Sequence, residues 1–146
     1  MQITRQADYA LRAMMRLATL PPNERAATSQ IADDENIPPS FLAKIISQLS
    51  IAGLIHTSRG ARGGVSLSRP PGEISLLEVV EAIDGPIHLN ECTQSEGACQ
   101  HSITCPLHPI WVETQMELVR KLRETTFDTV VKSKEAIALK ASLESS

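Results

Sequence analysis

The stretch LIHTSRGARGGVSLSRP, residues 54–70, decides the fold. Two short runs of strand-forming residues flank a tip made mainly of glycine and arginine, and this pattern predicts a β-hairpin. The glycines at the tip permit positive φ angles and a close approach of the backbone to a ligand. Arg59 and Arg62 add positive charge there. The sequence therefore predicts a hairpin with a cationic tip.

Helical patterns precede this hairpin directly. Apolar residues recur at three- and four-residue steps over residues 3–19, which indicates an amphipathic helix. A short helix is predicted from Thr28 or Ser29, as its cap, to about residue 35. Another helix is predicted from residue 39 or 40 to about residue 52, where Gly53 ends it. A helix-turn-helix followed at once by a cationic hairpin is the winged-helix arrangement. The predicted fold class is therefore a mainly α winged helix-turn-helix, with the β-hairpin as its wing.

The helix over residues 40–52 has two different faces. Its predicted apolar back consists of Phe41, Leu42, Ile45, Ile46, Leu49 and Ala52, and its front of Ser40, Ala43, Lys44 and Ser47. The front has slim polar groups and a lysine but no carboxylate, which favours insertion into a DNA groove over an ordinary solvated surface. The predicted DNA-contacting residues are Ser40, Ala43, Lys44, Ser47, Gln48, Ser58, Arg59 and Arg62.

Different contacts are expected from these residues. Lys44, Arg59 and Arg62 can neutralise phosphates, and Ser40 at a helix N-terminus can bind a phosphate oxygen. Arg59 is the candidate for insertion into the minor groove of A·T-rich DNA. Lys44 or Gln48 is expected to read base edges. The predicted partner is thus double-stranded DNA.

Composition limits the alternatives. The chain has 146 residues, of which 42% are apolar and 3% aromatic. This length fits one domain, or one domain with a dimerisation element. It contains no uninterrupted apolar run of transmembrane length, and its first residues lack the apolar centre of a signal peptide, which predicts a cytoplasmic protein without a membrane partner. Residues 1–70 carry a net charge of +3 and residues 71–146 a net charge of −6. No catalytic constellation is present in a suitable context, so no enzyme is predicted.

The C-terminal half predicts further helices. Ser75 can cap a helix to about residue 83, and a broad apolar arc over residues 107–125 predicts a long dimerisation helix. Phe127 and the valines after it indicate a short final helix, followed by a polar tail. The predicted units are a DNA-binding domain at 1–85, a cysteine-rich cluster-binding loop at 86–106, the dimerisation and short final helices at 107–132, and a flexible tail at 133–146.

Three cysteines occur within fourteen residues in the pattern Cys-x6-Cys-x5-Cys, at Cys92, Cys99 and Cys105. An odd, clustered set in a cytoplasmic chain argues against a disulfide framework and points to a metal or redox centre. Thiolates bind both iron–sulfur clusters and zinc. His101 and His108 are nearby nitrogen donors. An iron–sulfur cluster, a structural Cys3His zinc site and a loop without metal all remain open on these residues.

Several segments resemble the Rrf-two family of winged-helix regulators, which includes iron–sulfur and nitric-oxide-sensing proteins. The matching segments are Asp8–Arg12, Ser40–Leu49, Ala52–Leu54, Ser58–Gly64 and Ile74–Val80, with the three-cysteine loop before a long helix. The resemblance covers residues 1 to about 132. It implies a homodimer on a palindromic operator and a [2Fe–2S] or [4Fe–4S] cluster held by Cys92, Cys99 and Cys105. It offers two fourth ligands, His108 and Asp8 of the partner subunit.

The resemblance and the residues together predict a dimeric DNA-binding transcriptional regulator of the repressor type. It would sense iron–sulfur status, redox state or nitric oxide through the cluster. One alternative is a winged-helix regulator with structural zinc or without metal. Another is an iron–sulfur electron carrier, although such a protein would not need an arginine-tipped wing.

Overall fold

A computed structural model describes residues 2–94 and 104–145 of the chain. Within these ranges it contains six α-helices, one two-stranded antiparallel sheet and two short 3-10 turns. The elements are α1 (Arg5–Ala18), α2 (Thr28–Glu35), α3 (Pro39–Ile51), β1 (Ile55–Ser58), β2 (Gly64–Leu67), a 3-10 turn (Pro71–Glu73), α4 (Leu76–Asp84), a second 3-10 turn (Glu91–Thr93), α5 (His108–Glu124) and α6 (Phe127–Glu144). The predicted winged-helix architecture is confirmed.

Local signals set the boundaries of the helix-turn-helix. Pro39 occupies the first turn of α3, where its missing N–H leaves no hydrogen bond unmade. Gly53 follows α3 with φ +75°, a conformation that glycine adopts without a steric penalty. Helix α2 begins at Thr28 itself, and its N-cap is Ala27, which provides no side-chain cap. The prediction of Thr28 or Ser29 as the cap was therefore wrong by one or two residues.

The core lies between α1, α3, α4 and the inner face of the hairpin. Its largest fully buried side chains are Met14, Ile31, Leu42, Ile45, Leu49, Val65, Ile74, Val79, Val80 and Phe127. Four of the six residues predicted on the back of α3 are buried, whereas Phe41 is 42% exposed and Ala52 is exposed. The Phe41 ring instead packs edge-on against Tyr9 of α1, with centroids 6.1 Å apart. The apolar arc of α3 is therefore narrower than its sequence indicates.

The hairpin is fixed by close backbone contacts. Thr57 of β1 pairs with Val65 of β2, and the segment before α2 adds a bridge on the other edge of β2, where the Val65 N–H donates to the Ala26 carbonyl at 2.8 Å. A Cβ on Gly64 would lie 2.7 Å from that carbonyl oxygen, and one on Gly63 would lie 2.4 Å from the Ser58 carbonyl oxygen. Both positions therefore require glycine.

The C-terminal helices pack on the core in different ways. Helix α5 contacts a small apolar cluster of α4 and the following segment through Leu118, Val119 and Leu122, but none of its residues is buried. Helix α6 begins at Phe127, which is fully buried and whose N–H donates to the Ile74 carbonyl at 3.2 Å. No helix of the described residues is long and apolar enough to cross a membrane.

The length of α6 corrects the prediction of a short final helix and a flexible tail from residue 133. The helix continues to Glu144. Residues 135–144, EAIALKASLE, are rich in alanine, leucine, lysine and glutamate, which have high helix propensity even without an apolar face. An ion pair between Lys134 and Glu35, at 4.0 Å, further joins α6 to α2.

Candidate nucleic-acid interface and metal site

A groove with a volume of about 550 Å³ lies between α3 and the hairpin, and we call it the α3–wing groove. Two α3 residues predicted to face DNA, Ala43 and Ser47, line one side. Ser58 and Arg59 of the hairpin line the other side. The structure therefore brings these four predicted residues, distant in sequence, to one surface.

The other predicted contacts lie outside the lining of this groove. Ser40 and Lys44 are exposed on α3, and Arg62 is exposed at the hairpin tip. Gln48 differs from them because it is half-buried. Its Oε1 is buried and has no hydrogen-bond partner among the residues described. The structure thus places the Gln48 side chain partly inside the protein, unlike Ser40, Lys44 and Arg62.

The sequence interpretation missed part of the groove. Thr28, at the start of α2, lines it together with Ser50 and Thr57. Arg25 was missed as well, and its Nη1 donates to Ser58 Oγ at 2.9 Å. Thr28 stood out only as a possible helix cap, and no local pattern links Arg25 to a serine 33 residues later.

Ion pairing separates the basic residues into two groups. Arg12, Arg16 and Arg69 contact carboxylates at 2.8, 2.9 and 2.6 Å, respectively. The hydrogen bond from Arg16 holds the pKa of Asp34 below its usual value, with a further contribution from Gln30. By contrast, nine basic residues have no carboxylate within 4.0 Å in the described part of the chain. Five of them lie on α1, α5 and α6, namely Arg5, Lys121, Arg123, Lys132 and Lys140. The other four are Arg25, Lys44, Arg59 and Arg62.

Position distinguishes Arg25, Lys44, Arg59 and Arg62 from the other unpaired cations, because these four lie on α3, on the hairpin and on the segment bonded to it. DNA phosphates are the expected partners of cations clustered on one surface without internal counter-ions. The groove and the charges therefore form a candidate nucleic-acid interface.

The candidate metal site lies in the segment between α4 and α5 and at the start of α5. Cys92 is half-buried in the second 3-10 turn, and this turn packs against α5. The Leu89 N–H donates to Oε1 of Gln115 at 2.9 Å and so joins the segment before the turn to α5. Cys105 is half-buried and free of a disulfide. Cys99 and His101 lie outside the described residues.

His108 is the first residue of α5, and its N–H donates to the Cys105 carbonyl at 3.3 Å. Its Nδ1 is buried without a hydrogen-bond partner among the described residues. The alternative ligand, Asp8, lies in the first turn of α1 and pairs with Arg12 at 2.8 Å. Within residues 2–94 and 104–145, no three His, Cys, Asp or Glu side chains come together as a metal-binding group.

Comparison with known proteins identifies the family. A model of the family Rrf2, described as an iron-dependent transcriptional regulator, matches residues 3–133. The chain belongs to the Rrf2 family. This is the family named above from the sequence resemblance, and its members are regulators and not enzymes.

Individual relatives agree with this assignment. The chain is 32% identical over 138 residues to the HTH-type transcriptional regulator NsrR of Bacillus subtilis, covering 94% of each chain. It is 33% identical over 130 residues to a Mycobacterium tuberculosis protein named as an HTH-type transcriptional regulator, covering 89% of this chain and 81% of the relative. The solved structure of T. potens IscR has the same fold, with a TM-score of 0.76 at 20% identity, covering 94% of this chain and 90% of that one. The Rrf2 protein described here is therefore a DNA-binding transcriptional regulator.

Proposed function

We propose that this Rrf2 regulator is a homodimeric repressor that senses iron–sulfur status, redox state or nitric oxide through a cluster bound by Cys92, Cys99, Cys105 and His108. The observation that supports the cluster most directly is the buried Nδ1 of His108, which has no partner among the described residues. A buried polar atom without a partner is costly, and a bond to a metal would remove that cost. The match to an iron-dependent regulator family supports the same proposal.

The donor chemistry fits such a group. Cysteine thiolates and a histidine nitrogen are established ligand types for iron–sulfur clusters. His108 and Cys105 are joined by a backbone hydrogen bond at the start of α5, and the turn that carries Cys92 packs against the same helix. Cys99 lies between these two cysteines in the sequence and completes the set. When bound, the cluster supplies a centre that reacts with oxidants or nitric oxide.

Packing provides a route from these ligands to the DNA-binding surface. Helix α5 contacts α4, and α4 contacts both α1 and the recognition helix α3. Ligand binding by Cys105 and His108 would order the first turn of α5. We propose that this ordering shifts the equilibrium between two positions of α5 against α4, and with it the placement of α3.

The dimer would be formed by the outer side of α5. Trp111 is 37% exposed and Met116 is 67% exposed. Val112 and Val119 line the same groove as Met116, and its other lining residues include Glu113, Glu117, Arg120 and Arg123. Exposed apolar area of this kind on a long helix is typical of an interface. Two copies related by a two-fold axis would present two α3–wing grooves to a palindromic operator.

Metal analysis after anaerobic purification tests this proposal. We expect a visible absorption band from the cluster and matching amounts of iron and acid-labile sulfide in the same sample. The Cys99→Ala variant should lose this band and still elute as a folded dimer. A colourless protein that contains zinc would instead make the metal structural and overturn the sensing function. A band that persists in Cys99→Ala would remove Cys99 from the ligand set.

The fourth ligand is tested by a matched pair of variants. We expect His108→Ala to change the absorption spectrum and Asp8→Ala to leave it unchanged, because Asp8 already pairs with Arg12. His56→Ala is the control, since His56 is an exposed histidine on β1. The reverse result, a changed spectrum only in Asp8→Ala, would assign the fourth ligand to the aspartate.

A further inference from the structure

Arg25 lies beside the hairpin, at the end nearest its tip. It lies on the segment between α1 and α2, next to Ala26, whose N–H donates to the Val65 carbonyl at 3.0 Å. That segment borders β2, whereas Ser58 lies at the end of β1. The Arg25 side chain therefore crosses β2 to place its Nη1 2.9 Å from Ser58 Oγ.

The crossing is possible because of Gly64. This residue pairs with Ser58 across the hairpin and has a φ of +146°. A Cβ on Gly64 would lie 3.2 Å from the Cβ of Arg25, tighter than an ordinary contact. The missing side chain leaves room for the arginine stem above the strand. Gly64 thus makes room for two neighbours, the Arg25 stem and the Ala26 carbonyl, whose oxygen would lie 2.7 Å from a Cβ on Gly64.

The guanidinium of Arg25 is available for another ligand. It has five N–H donors in a fixed fork, and the bond to Ser58 uses one of them. No carboxylate within the described residues lies within 4.0 Å of it. Ser58 and Arg59 both line the α3–wing groove, so the guanidinium lies at the edge of that groove.

We propose that Arg25 is a DNA-phosphate contact of the wing, positioned by Ser58 and by the space above Gly64. This inference rests on the proposed DNA-binding role of the α3–wing groove and adds a residue to it. The remaining donors of the fork bind a phosphate oxygen of the backbone. Ser58 accepts from Arg25 and keeps its own O–H as a donor, so the two side chains can hold the same phosphate.

Salt-dependent binding measures this contact. The probe is a labelled 30-base-pair duplex of mixed sequence, titrated with the full-length protein by fluorescence anisotropy at several salt concentrations. Arg25→Met retains an aliphatic stem over Gly64 and removes the charge. We expect the plot of log K against log[salt] to become less steep by about 0.9 for each lost contact. This corresponds to an affinity about eightfold lower at 0.1 M salt for each contact, if the value extrapolated to 1 M salt stays constant.

Two further variants separate a contact from a structural role. Arg16→Met is the matched control, because Arg16 pairs with Asp34 and is not part of the groove lining, and it should leave the slope unchanged. In the double variant Arg25→Met/Arg59→Met, we expect the two slope changes to add. If Arg25 only held the wing in place for Arg59, the double variant would equal Arg59→Met alone, and the inference would be wrong.

The results also distinguish this inference from the function on which it rests. A wild-type protein with no salt-dependent affinity for the duplex would overturn the DNA-binding role itself. Normal wild-type binding with an unchanged slope in Arg25→Met would overturn only the contact by Arg25. Thermal unfolding of each variant confirms that the measured species is folded.

Discussion

Helices α1 and α5 have similar lengths but very different burial. Five of the fourteen residues of α1 are buried, including Met14 and Leu17, whereas none of the seventeen residues of α5 is buried. The difference shows that the DNA-binding part, residues 2–84, supplies most of its core from its own helices, with α5 contributing no buried residue. Helix α5 lies on this part with half-buried leucines and leaves Met116 largely exposed.

Helix α6 is the exception that joins the two regions. Its first residue, Phe127, belongs to the core of the DNA-binding part, and the Leu76 N–H donates to the Thr125 carbonyl just before it, at 2.9 Å. The C-terminal end of α6 is exposed, with Ile137 at 69%. One helix therefore contains both kinds of environment, which allows a controlled test.

The largest expected effect is on stability, from Phe127→Ala. Removing a fully buried phenylalanine costs about 3–5 kcal/mol, because it loses apolar burial and leaves a cavity. Ile137→Ala on the same helix should change the unfolding free energy by less than about 0.5 kcal/mol, since its side chain is mostly in water. Urea denaturation followed by circular dichroism measures both. Equal losses in the two variants would contradict the assignment of Phe127 to the core.

The second effect is on association, and it tests the proposed dimer. Met116→Glu replaces an exposed apolar side chain of the α5 groove by a charge, and burying it at a two-fold contact would desolvate two carboxylates. We expect the dimer dissociation constant to rise by roughly 100-fold, which corresponds to a loss of about 3 kcal/mol in the free energy of association. Sedimentation equilibrium provides the measurement.

Thr114→Glu is the matched control for that experiment. Thr114 is exposed on the same helix but does not line the groove, so the same added charge should have little effect on association. If Met116→Glu associates as tightly as the wild type, the groove is not the dimer contact. In that case, the contrast between α1 and α5 would reflect only a loosely packed helix.

The local features were largely predictable from the sequence. The apolar periodicity predicted the ends of α1, α3, α4 and α5 to within about two residues. The prediction of Ser75 as the N-cap of α4 is confirmed. The glycine-rich tip predicted the hairpin correctly. Glycine is needed there because the backbone around Gly63 comes too close for a side chain to fit. In each case, a nearby residue determines the local conformation.

The features that depend on distant partners were not predictable in this way. Phe41 matches the apolar period of α3, yet it is partly exposed because its neighbour in space is Tyr9 of α1. The hydrogen bond from Arg25 to Ser58 spans 33 residues and leaves no local pattern. Helix α6 was predicted to be short because its polar sequence shows little apolar periodicity, although its intrinsic propensity favours helix.

The smallest expected effect is on α4, which links the two regions. The N–H groups of Ser75 and Arg69 donate to the Glu78 carboxylate at 2.9 and 2.6 Å, and the Ser75 hydroxyl caps the helix. Partial burial tends to raise the pKa of Glu78, but the bonds from Ser75 and Arg69 outweigh it and hold the pKa below its ordinary value. The charged form therefore stabilises the fold above glutamate's ordinary pKa, and this contribution is lost as the pH falls through the lowered value.

Glu78→Gln should therefore lower the unfolding free energy at pH 7 by about 0.5–1 kcal/mol, since glutamine retains part of the capping interaction but not the charge. The difference from the wild type should shrink as the pH is lowered past glutamate's ordinary pKa. Glu81→Gln, an exposed position on the same helix, is the control, and its effect should stay small at every pH. A Glu78→Gln difference that is the same at pH 7 and in acid would mean that shape, and not charge, fixes the start of α4.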